Sequence, residues 1–456
     1  MVKCCKVRIG YNMIDTKAFI MAYFTELEKQ EIKYCILRNV DEIISGNAHD
    51  IDFTVDVKKL RKAVSLMKQV AINYGWTLHF YSGDINDNKN IKCLHFYQCD
   101  DSNKKIVIAH FDIFPVFNWE GFELLTNSEL LHNRMLYEGV YKASDAVESV
   151  TKLFIRLLHT GKVKDKYKPA IKSVFTANHD AVIQIMEEFL SHESARIVAE
   201  KVIYEQWDEI ESYREKLIVD IKTKAKKNLR VKYLLSKIIN RTGVMIAFEG
   251  TDGSGKSTII DRLTDILSNS FPQGMLDYYH WRPGFIKKET KIKDGKVVIV
   301  TDPHAKKPYG RLKSFAKFMF FNMDYILGYW MRVRIQLAKG HLVIFDRYYY
   351  DYYLDKLRYR LKISDRTLNL FKVLIPKPDI TFLLIGDAKT LYERKKEISI
   401  EEIEEQLQRI QLCEKWFNNA CAIDVNQDID TVSYIVAKKI LEIGGKRYEC
   451  YNAGKK

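Results

Sequence analysis

Proline is scarce in this chain, 8 residues in 456, and no internal repeat or low-complexity tract interrupts it. That composition excludes a linker-dominated or solenoid protein and leaves an ordered one, long enough for two or three domains with cores of their own. Cysteine is present but unorganised: Cys4, Cys5, Cys35, Cys93, Cys99, Cys413, Cys421 and Cys450 include no C-x-x-C pair. Neither a disulfide framework nor a zinc site follows from such spacing. Cys93, His95 and Cys99 lie close together, but on an apparent strand they alternate with core residues, so no metal site is expected there. Long apolar runs are missing too, both behind the N-terminus and later, so no membrane span is expected. Free thiols and the lack of a span point to a cytoplasmic protein. Acidic residues are in deficit, 59 against 73 basic ones, for a formal charge of +14. The basic excess gathers at 222–241 and around 304–313. No nucleic-acid-binding motif accompanies it, so phosphorylated small molecules, rather than a nucleic acid, are the expected anions.

One run carries chemistry. Residues 248–258 read Phe-Glu-Gly-Thr-Asp-Gly-Ser-Gly-Lys-Ser-Thr. They contain Gly250-x-x-x-x-Gly255-Lys256-Ser257, between an apolar stretch at 243–248 and a helical pattern over 258–267. Glycines let the backbone N–H groups of Gly250, Thr251, Asp252, Gly253, Ser254 and Gly255 turn toward phosphate oxygens. The following helix adds its positive end, Lys256 reaches the β- and γ-phosphates, and Ser257, with Thr258 behind it, offers a hydroxyl to magnesium. A nucleoside triphosphate site is expected here.

The chain divides into three segments. Residues 1–122 mix helices and strands, with a helix near 16–29 and strands near 34–37, 52–55 and 106–113. Residues 123–241 are helical in pattern and end in the basic linker; residues 242–456 alternate strands (243–248, 342–345, 379–385) with helices, as in a parallel α/β sheet. At the end of the second of these strands stand Asp346 and Arg347. Ligands of parallel sheets sit at the carboxyl ends of strands, so this pair is expected to face Lys256. There the carboxylate would hold magnesium or orient an acceptor, and the arginine would grip phosphate.

The C-terminal segment resembles thymidylate kinases. The likeness rests on the 248–258 run, Asp346-Arg347-Tyr348, Pro378-Asp379-Ile380-Thr381-Phe382, and a lid-like Arg394-Lys395-Lys396 followed by Glu401-Glu402. It implies a nucleoside-monophosphate-kinase fold, ATP with magnesium as donor, Asp252 directed at the acceptor and Arg394 closing over the transferred phosphoryl group. It also implies a small-molecule phosphoacceptor and a possible helix-mediated homodimer. The acceptor side departs from the family. Counting back without gaps from Asp346, Tyr325 stands where the family carries a phosphate-gripping arginine, and Leu327 and Gly328 replace polar base-contacting residues. Tyrosine cannot reproduce a bidentate clamp. Arg282, Arg358 or Arg360 are candidates to restore it, and Asp252, Arg282, Tyr325 and Arg347 are the expected acceptor residues.

In the first segment, Asp50 and Asp52 share one face of a strand, and Asp112 lies on a later one. The trio resembles the metal-binding acids of polymerase-beta-type nucleotidyltransferases, implying an α+β nucleotidyltransferase-like module, although Leu37-Arg38-Asn39 stands in place of the family's Gly-Ser. Joined in this order, the two halves resemble proteins of bacterial surface-polysaccharide gene sets. The expected activity is phosphoryl transfer from ATP to a sugar or sugar-phosphate acceptor. A thymidylate kinase with an appended domain and an ATP-binding regulator are the alternatives.

Overall fold

The computed structural model describes residues 14–48, 50–82, 88–227, 241–268, 270–271, 275–286, 292–293, 296–297, 307–396, 398–416 and 419–453. They fall into two compact units, one within 1–98 and 107–233, the other within 99–106 and 234–456. Most of the basic 222–241 stretch, and residues 304–306 of the second basic cluster, lie outside the described residues.

In the first unit, helix α1 (Thr16–Lys29) starts where the Asp15 carboxylate accepts the Ala18 N–H at 2.8 Å. It buries Phe19, Ile20, Tyr23, Phe24 and Leu27, the stripe expected of an amphipathic helix. Helix α2 (Leu60–Asn73) packs beside it. The sheet of this unit is built from β1 (Tyr34–Ile36), β2 (Asp50–Val55), β3 (Thr77–Ser82), β4 (Lys92–Asp100), β5 (Lys105–Ile113), β6 (Met135–Tyr137) and β7 (Val140–Lys142), in the order β3-β4-β5-β2-β1-β7-β6. It is mixed: β1 and β2 are antiparallel, β2 and β5 parallel. A helical cluster follows, opened by α3 (Asp145–Thr160), whose Ser144 caps its start and whose Gly161 ends it at φ +74°. It continues through α4 (Lys168–Ala177), α5 (His179–Glu187), α6 (His192–Ile203) and α7 (Arg214–Lys224) around one apolar core.

The second unit holds a five-stranded sheet, all parallel, of β8 (Val244–Gly250), β9 (Leu276–His280), β10 (Leu342–Asp346), β11 (Ile380–Ile385) and β12 (Ala420–Asp424). Its order, β9-β10-β8-β11-β12, places the first strand in the middle. All seven residues of β8 are buried, because parallel neighbours flank it on both edges and helices cover the faces. The parallel sheet expected for 242–456 is thus present. After β8 the chain turns out to one edge and later returns to the other side, so the topological switch lies at the carboxyl ends of β8 and β10. There the 251–255 loop leads into α8 (Lys256–Leu267), against which the last helix, α9 (Ile429–Ala453), packs. The long helix Arg311–Gly328 continues through a π turn, Tyr329–Val333. Gly328 is where this helix meets the 281–285 segment: a Cβ there would lie 2.5 Å from Pro283 Cβ.

Candidate active site

The glycine-rich loop is held by contacts that only glycine permits. Gly253 and Gly255 have φ of +82° and +81°, and a Cβ on Gly253 would sit 2.3 Å from the Leu391 carbonyl oxygen. Lys256 is folded back over the loop, donating to Gly250 O at 2.7 Å, Thr251 O at 2.8 Å and Ser254 Oγ at 3.3 Å. Burial, with Arg347 close by, brings its amine down to about 8, while Asp346 and Asp252 oppose the shift.

Beside the lysine runs a chain of alternating charges. The Asp252 carboxylate accepts from Arg347 Nη2 at 2.7 Å and from Arg358 Nη2. Arg347 Nη1 reaches both Asp351 oxygens, at 2.9 and 3.1 Å, and Asp351 also accepts from the Tyr359 hydroxyl. Arg358 Nε donates to Asp355 at 3.2 Å. Burial alone would raise Asp252, but Arg347, Arg358 and Lys256 hold its carboxyl below the usual range. Glu249, fully buried beneath the loop, goes the other way: burial and then Asp351 push its carboxyl well up, and its Oε1 accepts the Tyr348 N–H at 2.8 Å. Charges fixed in a desolvated site of this kind act on phosphate far more strongly than they would in water. Arg347 occupies the left-handed region, φ +70°, with its N–H on Phe248 O at 2.9 Å.

Asp346, on the neighbouring strand end, accepts from the Tyr278 hydroxyl at 3.1 Å, and His280 Nδ1 lies 3.4 Å from the same carboxylate oxygen. Burial would raise it, yet His280, Lys256 and Arg347 bring it down to about 2. Its second oxygen, Oδ1, is buried without a hydrogen-bond partner among the described residues. Ser257 is exposed at the start of α8. A hydroxyl and an uncommitted carboxylate oxygen suit magnesium carried on nucleotide phosphates. Thus Lys256, Asp252, Asp346 and Arg347, expected together, are brought together.

On the nucleotide side, Ser254, Gly255, Thr258, Arg394, Val425 and Gln427 help line a cavity of about 270 Å³. Arg394 ends the helix Ala388–Arg394 and donates to Val425 O at 3.1 Å, on this side of the loop.

On the acceptor side the expected residues are spent on one another. Arg282 and Asp324 form an ion pair at 2.8 Å with side-chain exposures of 4% and 0%, and Asp324 also accepts the Gly284 and Ile286 N–H groups. The Arg282 guanidinium lies over Trp281 and Phe321, 4.6 Å from each centroid. Trp281 stacks on Tyr359 at 4.4 Å. Tyr325 is fully buried, and its hydroxyl donates to Trp281 O at 3.0 Å. Arg360 stacks on Tyr309 at 3.9 Å, away from Asp252, whereas Arg358 reaches it.

In the first unit, register pairs Asp50 with His110 and Asp52 with Asp112, so these four side chains share a face. Two of the three expected metal acids are held in ion pairs. Arg38 Nη2 takes the Asp52 carboxylate at 2.5 Å, and Asp50 turns to His110 Nδ1 at 2.9 Å. Burial, then the Asp52 charge, pushes Asp112 up to about 6. Among the described residues, no three His, Cys, Asp or Glu side chains converge to hold a metal.

Tyr278, His280 and Tyr359 were not singled out by the sequence. The first two belong to the site because β9 pairs with β10, placing His280 opposite Asp346. Only the strand order could have revealed that.

No protein-family profile matches the chain. Over 144 residues, 31% of its length, it is 28% identical to a probable thymidylate kinase of Pyrobaculum aerophilum, spanning 64% of that relative. A solved thymidylate kinase of Ehrlichia chaffeensis aligns with 44% of the chain and 98% of its own, at 18% identity and a TM-score of 0.30. For that of Candida albicans the values are 45%, 93%, 21% and 0.32. The chain is therefore similar to thymidylate kinases over part of its length. The nucleotidyltransferase likeness of the N-terminal segment is not shown by these matches.

Proposed function

We propose that the P-loop unit is an ATP- and magnesium-dependent phosphotransferase whose acceptor is a sugar or sugar phosphate rather than thymidylate. The observation that carries this reading is the convergence of Lys256, Asp346, Arg347 and Asp252 at the carboxyl ends of two adjacent strands. Phosphoryl transfer asks a protein mainly for placement and for charge that is already oriented, and both are present. Lys256 would exchange the loop carbonyls for β- and γ-phosphate oxygens. Ser257 and Asp346 are the residues that would hold magnesium, which, when bound, neutralises charge on the phosphates. Arg347 and Arg358, already desolvated against Asp252, would clamp the acceptor and steady the moving phosphoryl group. Arg394 borders the nucleotide cavity.

The acceptor reading rests on Arg282, Asp324, Tyr325 and Trp281, whose mutual contacts occupy the region where a nucleotide acceptor is expected. A thymidylate kinase remains the second reading, favoured by the Pyrobaculum aerophilum match. The N-terminal unit would select a related ligand, with Arg38 on Asp52 in place of two-metal chemistry.

Transfer of labelled γ-phosphate from ATP to dTMP, other nucleoside monophosphates, sugars and sugar phosphates tests this, with Lys256→Ala as control. Lysine-dependent labelling of a sugar-type acceptor is expected. Fast labelling of dTMP would replace this reading by the second. Labelling of nothing would remove the kinase and favour a regulator.

A further inference from the structure

A groove of about 970 Å³ runs between the start of the helix Arg311–Gly328, the 354–364 segment and the helix Ile400–Trp416. Its volume is at the upper end of small-molecule sites, roughly 300–1,000 Å³. One end reaches Asp355, which holds Arg358, which in turn grips Asp252 beneath the glycine-rich loop. The groove is thereby continuous, through two ion pairs, with the phosphate-handling cluster. Lys307, Arg311 and Lys362 also line it, exposed cations without an ion pair among the described residues. The remaining lining cations are engaged: Lys356 with Asp365, and Arg409 with Glu405 at 3.5 Å. Gln406, only 9% exposed as a residue, is also part of the lining. A side-chain amide in such a lining offers both donors and an acceptor to a ligand. Its inventory fits a hydroxyl-rich molecule.

We infer that this groove binds the body of the acceptor, a phosphorylated sugar bearing a second anionic group. The inference rests on the kinase reading of the P-loop unit and names the substrate class for that site. The first phosphate lies toward Arg358 and Arg347, the hydroxyls toward Gln406, and the second anion toward Lys307, Arg311 and Lys362. In the transfer, the bond between the γ-phosphorus and its bridging oxygen breaks and one forms to an oxygen of the first phosphate. ADP leaves with the electron pair, and the ionised phosphate nucleophile requires no proton transfer.

Equilibrium dialysis of labelled glucose 1,6-bisphosphate against the full chain, with glucose 1-phosphate and dTMP alongside, tests the groove without requiring turnover. The wild type should hold the bisphosphate more tightly than the monophosphate. Arg311→Glu and Lys362→Glu should each weaken it by about tenfold or more, the worth of a charge-assisted contact, and Gln406→Leu by several-fold. Binding of dTMP should not change. Failure of the wild type to bind the bisphosphate, or equal binding by wild type and both charge-reversal variants, would overturn the groove. Melting temperatures of these variants check that each is folded. Phosphoryl transfer in the same preparations reports on the kinase reading separately, because its loss leaves the dialysis result intact.

Discussion

Replacing Asp324 with alanine should destabilise the P-loop unit more than any surface change nearby. The carboxylate is wholly buried and accepts three hydrogen bonds, from Arg282 Nη1 at 2.8 Å, Gly284 N at 3.1 Å and Ile286 N at 2.8 Å. Its removal strips a guanidinium that is 4% exposed of its buried counter-ion and leaves two N–H groups without this acceptor. Breaking such a pair from one side costs about 3–5 kcal/mol, since a buried charge loses compensation. The N–H groups would add to this unless water enters the space. For a unit of this size roughly 2–4 °C of melting temperature accompany each kcal/mol, so the transition should fall by roughly 6–20 °C. Glu442→Ala is the control, because its 3.6 Å partner Lys439 is 46% exposed and such pairs contribute at most about 1 kcal/mol. Scanning calorimetry of the full chain reads both. Replacing both partners with apolar residues, Arg282→Met with Asp324→Leu, should recover much of the loss, because the desolvation cost leaves with the charges. An Asp324→Ala transition no lower than that of Glu442→Ala would refute the reasoning. So would a double variant as unstable as the single one.

Gly253→Ala should abolish ATP binding and cost about 1–3 kcal/mol, since φ is +82° and the new Cβ would meet the Leu391 carbonyl oxygen at 2.3 Å; calorimetric titration and melting read the two effects. ATP affinity should fall as pH rises above about 8, because phosphate binding favours charged Lys256 and must then draw a proton onto it; titrations across pH 7–10 in two buffers of different ionisation heat would show the uptake. The free protein should behave oppositely. Unfolded lysine keeps its ordinary pKa, so between about 8 and that value the unfolded state binds more protons and this group's contribution to stability rises with pH. Tyr325→Phe should lower stability by about 0.5–1.5 kcal/mol through loss of the bond to Trp281 O, and leave acceptor KM unchanged in the transfer assay.

Much of the P-loop unit was legible because its signals are local. An unbroken apolar strand, three glycines in six residues and a helical apolar stripe place Lys256, and a strand ending in Asp346-Arg347 places its partners once the sheet is taken as parallel. What could not be read depends on non-local geometry. Arg358 and Arg360 differ by two positions, yet a turn with Arg360 at φ +56° sends one to Asp252 and the other onto Tyr309. The ungapped count from Asp346 to Tyr325 passes through the π turn at Tyr329–Val333, where a wider turn rotates everything before it. In the N-terminal unit, two acids on one strand suggested metal, but Arg38, distant by 14 positions, takes one of them. Periodicity places a side chain on a face; it does not name the neighbour that reaches it first.

The backbone at Arg347 gives that residue a history. A β-carbon at φ +70° crowds the following carbonyl by about 1–2 kcal/mol, and glycine would relieve the strain at a stroke. Glycine would also delete the guanidinium that joins Asp252 to Asp351. The strain at position 347 is thus carried by the same residue whose guanidinium ties two buried carboxylates together.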